Sequence, residues 1–261
     1  RRSSDLKGSS FAALPLSTKD VDIPYFVQKK IGNHYLLLMA EGGSDYNHAV
    51  TALTAKSLWG PYVPCTINPV LTHRHLGKDY PVQSLGHADL VQTPTGDWYA
   101  VFLGKRIVEG GLVPLGRETF LCEVSFQNGE PIFNPGIGVI GNRLKRPLLP
   151  WTPVSKTDKQ NDFESSALSP EWATMRIPEQ PLHHFADGNL FLSLRPEMAD
   201  SLVCPSMLLH RVHSHNFSAI TTMTFSTCQA NEWAGLVLYR TAKGYYSLLK
   251  GKNEIRLTID K

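Results

Sequence analysis

The chain has no apolar run near the roughly 20 residues that a membrane-spanning helix requires. Its longest candidates, at 35–40 and 234–239, have six residues each. No membrane partner is therefore expected. The chain opens Arg1-Arg2-Ser3-Ser4, without an initiator Met and without the apolar stretch of a signal peptide, which reads as a chain processed or cut from something longer. Cysteine is scarce: Cys65, Cys122, Cys204 and Cys228 show neither Cys-x-x-Cys nor Cys/His zinc spacing and are too few for a disulfide scaffold, so buried free thiols are expected. Net charge is also small. The balance of 26 basic and 23 acidic side chains leaves +3, without the clustering that nucleic acid requires, and a neutral partner fits better. No segment sustains the 3.6-residue stripe of an amphipathic helix.

What the chain does have is turn chemistry, with 20 Gly and 18 Pro, and short β-branched and aromatic runs between the turns. Strands are predicted at 25–29, 34–40, 49–54, 89–93, 98–103 and 119–125. Ile31-Gly32-Asn33, Pro94-Thr95-Gly96-Asp97 and Asn128-Gly129 supply the positive φ of tight hairpins. This pattern is an antiparallel meander, compatible with a sandwich or with propeller blades. It lapses between Asn142 and Asn161, where Pro147, Pro150 and Pro153 lead into a polar run, and a domain boundary belongs there. Alternation resumes at 190–194, 206–212, 217–225, 234–239, 245–250 and 254–259. The second domain is thus also all β. With about 100 residues it is short for a sandwich with both edges managed, and truncation at this end is expected too.

The chemistry-bearing motif is the apolar strand His34-Tyr35-Leu36-Leu37-Leu38-Met39-Ala40, which runs straight into Glu41-Gly42-Gly43. A carboxyl at the end of a buried strand is partly desolvated, and neighbouring glycines let a bulky ligand approach the backbone; together these suit a general acid. A solvated strand-end Glu is the alternative that spacing alone leaves open.

This stretch, followed by Asn47-His48-Ala49-Val50 and Ser57-Leu58-Trp59-Gly60-Pro61-Tyr62, closely resembles the acid-bearing segment of glycoside hydrolase family 43. Leu85-Gly86-His87-Ala88-Asp89-Leu90-Val91-Gln92, Gly96-Asp97-Trp98-Tyr99 and Pro114-Leu115-Gly116-Arg117-Glu118-Thr119 resemble later blade motifs of that family, in the same order. Beyond the boundary, Asp162-Phe163, Leu168-Ser169-Pro170-Glu171-Trp172, Phe217-Ser218-Ala219 and Ala234-Gly235-Leu236-Val237-Leu238-Tyr239 resemble the β-sandwich appended to its β-xylosidase-type members.

The resemblance implies an all-β chain: a divergent lead segment (1–20), the C-terminal part of a five-bladed β-propeller (21–150), a linker (151–160) and a concanavalin-like or jelly-roll-like β-sandwich (161–261). It implies an inverting O-glycosyl hydrolase that removes terminal pentosyl units from xylo-oligosaccharides or arabinoxylan. Inversion needs base and acid carboxyls about 6.5–9.5 Å apart, with a water between them. By resemblance Glu41 is the general acid, while Asp5, Asp20 and Asp22 offer no counterpart of the general-base Asp or of the orienting Asp, so this chain is read as starting after them. His87, two residues before Asp89 on one strand face, and Arg117, whose guanidinium fork can hold adjacent hydroxyls, are the substrate-binding candidates. Asp89 and Glu118 are read as structural, and Asp45 as a loop residue.

No cofactor is required by this chemistry; calcium, which some family members hold at the propeller axis, is the ion that the resemblance allows. The groups His73/His75, His183/His184 and His210/His213/His215 have no Cys, Asp or Glu at a zinc-ligand interval, so no metal ligands are assigned. Trp233, before an apolar strand, is either a sugar platform or core. Oligomerisation is open. The compartment is too, with an extracellular setting favoured, where the sequon Asn216-Phe217-Ser218 would matter. The rival reading is a non-catalytic carbohydrate-binding or structural remnant, since a propeller without its first blades has lost its base.

Overall fold

The computed structural model describes residues 26–153, 161–165 and 167–260, and the chain divides into two compact units, with the boundary in the sequence between Trp151 and Thr152. Among the described residues there is no α-helix, only a short 3₁₀ turn at Glu109–Gly111. Tyr25, at the head of the first expected strand, lies outside them, as do Asp5, Asp20, Asp22 and most of the linker.

The first unit is built from two antiparallel sheets. In one, β1 (Phe26–Ile31), β2 (His34–Glu41), β3 (Ala49–Ala55) and β4 (Val63–Pro64) follow in order, with β5 (Leu71–Thr72) also on β3. In the other, β6 (Val82–Gln92), β7 (Trp98–Arg106), β8 (Glu118–Gln127) and β9 (Glu130–Phe133) form a four-stranded meander. The expected hairpin chemistry is in place: Gly32 has φ +56°, and Asn128 and Gly129 have φ +53° and +83° at the two central positions of the β8–β9 turn.

The Leu36-Leu37-Leu38 run does not alternate because β2 is buried on both faces. Leu36 and Leu38 join Val50, Ala52, Val82, Leu85, Ala88, Leu90, Ala100 and Phe102 in the main core between the two sheets. Leu37 and Met39 pack with Leu53 and Tyr62 on the other side. Strand β2 is therefore clamped along its whole central length, and its C-terminal residue is placed by a rigid element.

Two polar staples cross the unit. His73 is 1% exposed; its Nδ1–H donates to the Val82 carbonyl (2.7 Å) and its Nε2 accepts the Ile140 N–H (3.0 Å), which settles the tautomer. The Glu130 carboxylate accepts the Thr66 N–H (3.0 and 3.1 Å to its two oxygens) and the Thr66 hydroxyl (3.0 Å), tying β9 to the loop after β4.

The second unit carries three small sheets. They are β10 (Trp172–Thr174) with β13 (Leu208–His210), β11 (His183–Ala186) with β12 (Asn189–Leu192), and the meander β14 (Ala234–Thr241), β15 (Gly244–Lys250) and β16 (Ile255–Asp260). The expected strand at 217–225 forms no ladder: no partner strand lies beside it among the described residues. Register places Leu238 opposite Tyr246, Leu248 opposite Leu257 and Tyr246 opposite Ile259, so one face of the last meander is an apolar stripe, 46% to 69% exposed at these residues.

Candidate active site

Glu41 ends β2, directly across from Ala49 on β3. Thr51 lies opposite Met39, two residues along the same face, and at that diagonal its hydroxyl donates to Glu41 Oε2 (2.7 Å). From the loop after β5, Arg74 Nη1 donates to Oε1 (3.2 Å). Each carboxylate oxygen thus has its own donor, and the Glu41 and Arg74 side chains are 30% and 37% exposed. The carboxyl at this strand end is thus partly desolvated and paired at both oxygens.

The backbone beneath the carboxyl is fixed as well. The Glu41 carbonyl accepts the Nδ1–H of His48, 4% exposed (3.0 Å). Gly42 has φ +74°, and a Cβ there would fall 2.2 Å from the Asn47 carbonyl oxygen, so the turn after Glu41 needs a glycine. The His48 ring lies against Gly86, where a Cβ would come within 2.1 Å of Nε2 and Cδ2. Burial lowers the affinity of His48 for a proton, and the charges of His87 and Lys105 act in the same direction. His48 Nε2 is buried and has no hydrogen-bond partner among the described residues.

Strand β6 breaks its register twice around Gly86, and Ser84 and His87 both take φ +56°. These bulges aim His87 outward. His87 and Asp89 share an open depression with Leu90, Val91, Val101, Phe102, Leu103 and Thr119; Glu41 does not line it. Arg117 sits on the exposed turn before β8, after Gly116 at φ +68°, and makes no ion pair among the described residues. Of the three residues singled out in the sequence, His87 lines this depression, whereas Glu41 and Arg117 do not.

The other carboxylates of these sheets have partners. Lys105 reaches Asp45 (3.4 Å), Lys29 reaches Asp89 (3.4 Å), and Arg106 Nε donates to both oxygens of Glu118 (3.1 and 2.9 Å). Sequence reading missed Thr51, Arg74 and His48, because strand diagonals and loop returns leave no periodic trace. No group of three or more metal-ligating side chains occurs among the described residues. In the second unit His210 meets Glu171 (3.5 Å) and stacks edge-on with Trp172. The Trp233 ring is covered by Arg256, whose guanidinium lies 4.3 Å from its centroid. All four cysteines are free; Cys65 and Cys122 are buried, with burial pushing each thiol up to about 12, while Cys228 is exposed, contrary to expectation.

The family model for glycosyl hydrolases family 43 matches residues 18–131, and that for the beta xylosidase C-terminal concanavalin A-like domain matches residues 160–259. The chain belongs to glycosyl hydrolase family 43. It is 36% identical to a xylosidase/arabinosidase of Butyrivibrio fibrisolvens over 97% of this chain and 50% of that protein. A non-reducing end alpha-L-arabinofuranosidase of Bacteroides ovatus is likewise 36% identical, over 87% of this chain and 42% of its own length. Among solved structures, the family 43 protein BlXynB of Bacillus licheniformis superposes with a TM-score of 0.76 at 28% identity, covering 91% of this chain and 47% of that one. The chain spans about half the length of the curated relatives it matches. In family 43 terms, the two sheets of the first unit are propeller blades and the second unit is the concanavalin-like domain.

Proposed function

We propose that this chain carries the general-acid half of an inverting glycosidase that removes a terminal pentosyl unit from xylo-oligosaccharides or arabinoxylan. The observation that carries this reading is Glu41 itself. It is a partly exposed carboxyl on a clamped strand end, held in one orientation by Thr51 and Arg74, in a family 43 blade. Relatives named as xylosidases and arabinofuranosidases support the substrate class. In the reaction, Glu41 protonates the departing glycosidic oxygen as the anomeric C–O bond breaks, and water attacks the opposite face, giving up its proton to a general base that is not assigned among these residues. His87 and Arg117 hold sugar hydroxyls. Asp45, Asp89 and Glu118, read as loop and structural residues, each face a cation, and none is assigned as the general base.

That engagement favours a second reading, a carbohydrate-binding unit without turnover of its own. The test separates the two. The chain is assayed on alkyl and nitrophenyl β-xylosides and α-arabinofuranosides with and without azide, an anionic nucleophile that needs no base. Azide-dependent release that Glu41→Gln lowers about 10²–10⁴-fold for the alkyl leaving group, and far less for nitrophenyl, supports the acid. Equal losses for both leaving groups withdraw it, and sugar binding without any release leaves the second reading.

A further inference from the structure

Resting on the general-acid reading of Glu41, we propose that Arg74 is the residue that recognises the leaving-group sugar. An acid that protonates the glycosidic oxygen stands within hydrogen-bond reach of it. Arg74 Nη1 lies 3.2 Å from Glu41 Oε1, so its guanidinium borders the position of that oxygen. One N–H of the fork is used on Glu41; Nε and Nη2 carry no hydrogen bond among the described residues. A guanidinium has five donors in a fixed plane, and the remaining ones match adjacent sugar hydroxyls.

The backbone of Arg74 is held ready for this task. The Tyr46 hydroxyl donates to the Arg74 carbonyl (2.6 Å), and the Arg74 N–H donates to Thr72 Oγ1 (3.3 Å), whose hydroxyl in turn donates to the His48 carbonyl (3.2 Å). Lys78 caps the Tyr46 ring, with Nζ 5.8 Å from its centroid. The residue is thus fixed by the same His48 that fixes Glu41, while its head remains 37% exposed at the rim. A leaving group must depart to solvent, so a partly exposed donor fork beside the acid faces the side from which it leaves. Of the residues proposed to hold sugar hydroxyls, His87 lies on β6 of the other sheet and Arg117 on the turn before β8.

Isothermal titration of the full chain with xylobiose and with xylose tests this. Arg74→Met is expected to weaken xylobiose about 10-fold or more, the cost of losing hydrogen bonds from a charged donor, and to change xylose less than about 2-fold. Arg74→Lys, which keeps the cation and loses the fork, is expected to give a smaller loss confined to xylobiose, and it serves if Arg74→Met does not fold by thermal unfolding. Equal losses for both sugars, no loss for either, or no xylobiose binding by the unsubstituted chain overturns the proposal. Glu41→Gln distinguishes the two claims. If it keeps the xylobiose preference but shows no leaving-group dependence in turnover, the acid reading fails while the binding role of Arg74 stands.

Discussion

The imidazole of His48 rests on the bare backbone of Gly86, closer than any side chain at that position would permit. Because His48 also holds the Glu41 carbonyl, the glycine on β6 indirectly fixes the end of β2. Gly86→Ala is expected to destabilise the first unit by about 1–3 kcal/mol, the usual cost of overpacking. The same change in a His48→Ala background should cost much less, because the clash has gone. A double-mutant cycle by urea unfolding measures the difference, and equal costs in the two backgrounds would show that the ring moves freely.

Acid should weaken the first unit through His73. Burial lowers its proton affinity below the ordinary value of 6.5, and its Nε2 must stay unprotonated to accept the Ile140 N–H. A group depressed in the folded state stabilises the fold fully above its unfolded pKa and loses that contribution as pH falls below it. Stability should therefore hold above pH 6.5 and decline beneath it. His48 is depressed in the same direction and adds to the effect. Denaturant unfolding between pH 7.5 and 5 is the measurement. His73→Gln should be less stable at pH 7.5 and show a shallower decline, and an unchanged slope would remove His73 from the account.

Thiol reactivity should sort the four cysteines by burial. Cys228 is exposed and should react first with an aromatic disulfide reagent at pH 8, followed by the half-buried Cys204. Cys65 and Cys122, with thiols pushed up to about 12, should react only on unfolding. Mass spectrometry of the native chain is expected to show two adducts, and four after denaturation.

Leu36→Ala should cost about 2–5 kcal/mol, since Leu36 is completely buried between the two sheets and the clamped β2 cannot collapse into the hole. Val63→Ala, at an exposed edge position of β4, should cost under about 0.5 kcal/mol. Comparable losses at the two positions would mean that the core is loosely packed.

Strands whose side chains alternate or run continuously apolar were readable before any coordinates. The β2, β3, β7 and β8 segments emerged within a few residues of their ends. The first half of β6 did not, because Gly86 and the left-handed Ser84 and His87 break the two-residue period that a strand reading relies on. Strand β9 was hidden by Pro131, which an edge position tolerates. The stretch 217–225 shows the converse, a β-like composition without a strand to pair with among the described residues. At the candidate site Gly42 and Gly43 marked Glu41 as a candidate, and the family resemblance supplied its expected role. Arg74 lies 33 residues further along the chain, on a loop, and only the folded backbone brings its guanidinium to the carboxylate.

The bond between His73 and Ile140 spans 67 residues of sequence, whereas nearly every ladder of the first unit joins strands that follow one another. Hairpins of that local kind close quickly, while a contact over so long a loop must wait until the intervening chain is ordered. The Ile140 segment is thus the late-arriving latch of the unit, and its departure would be an early step in unfolding. A protease that cuts behind a transiently released latch would meet a molecule whose blades are still intact.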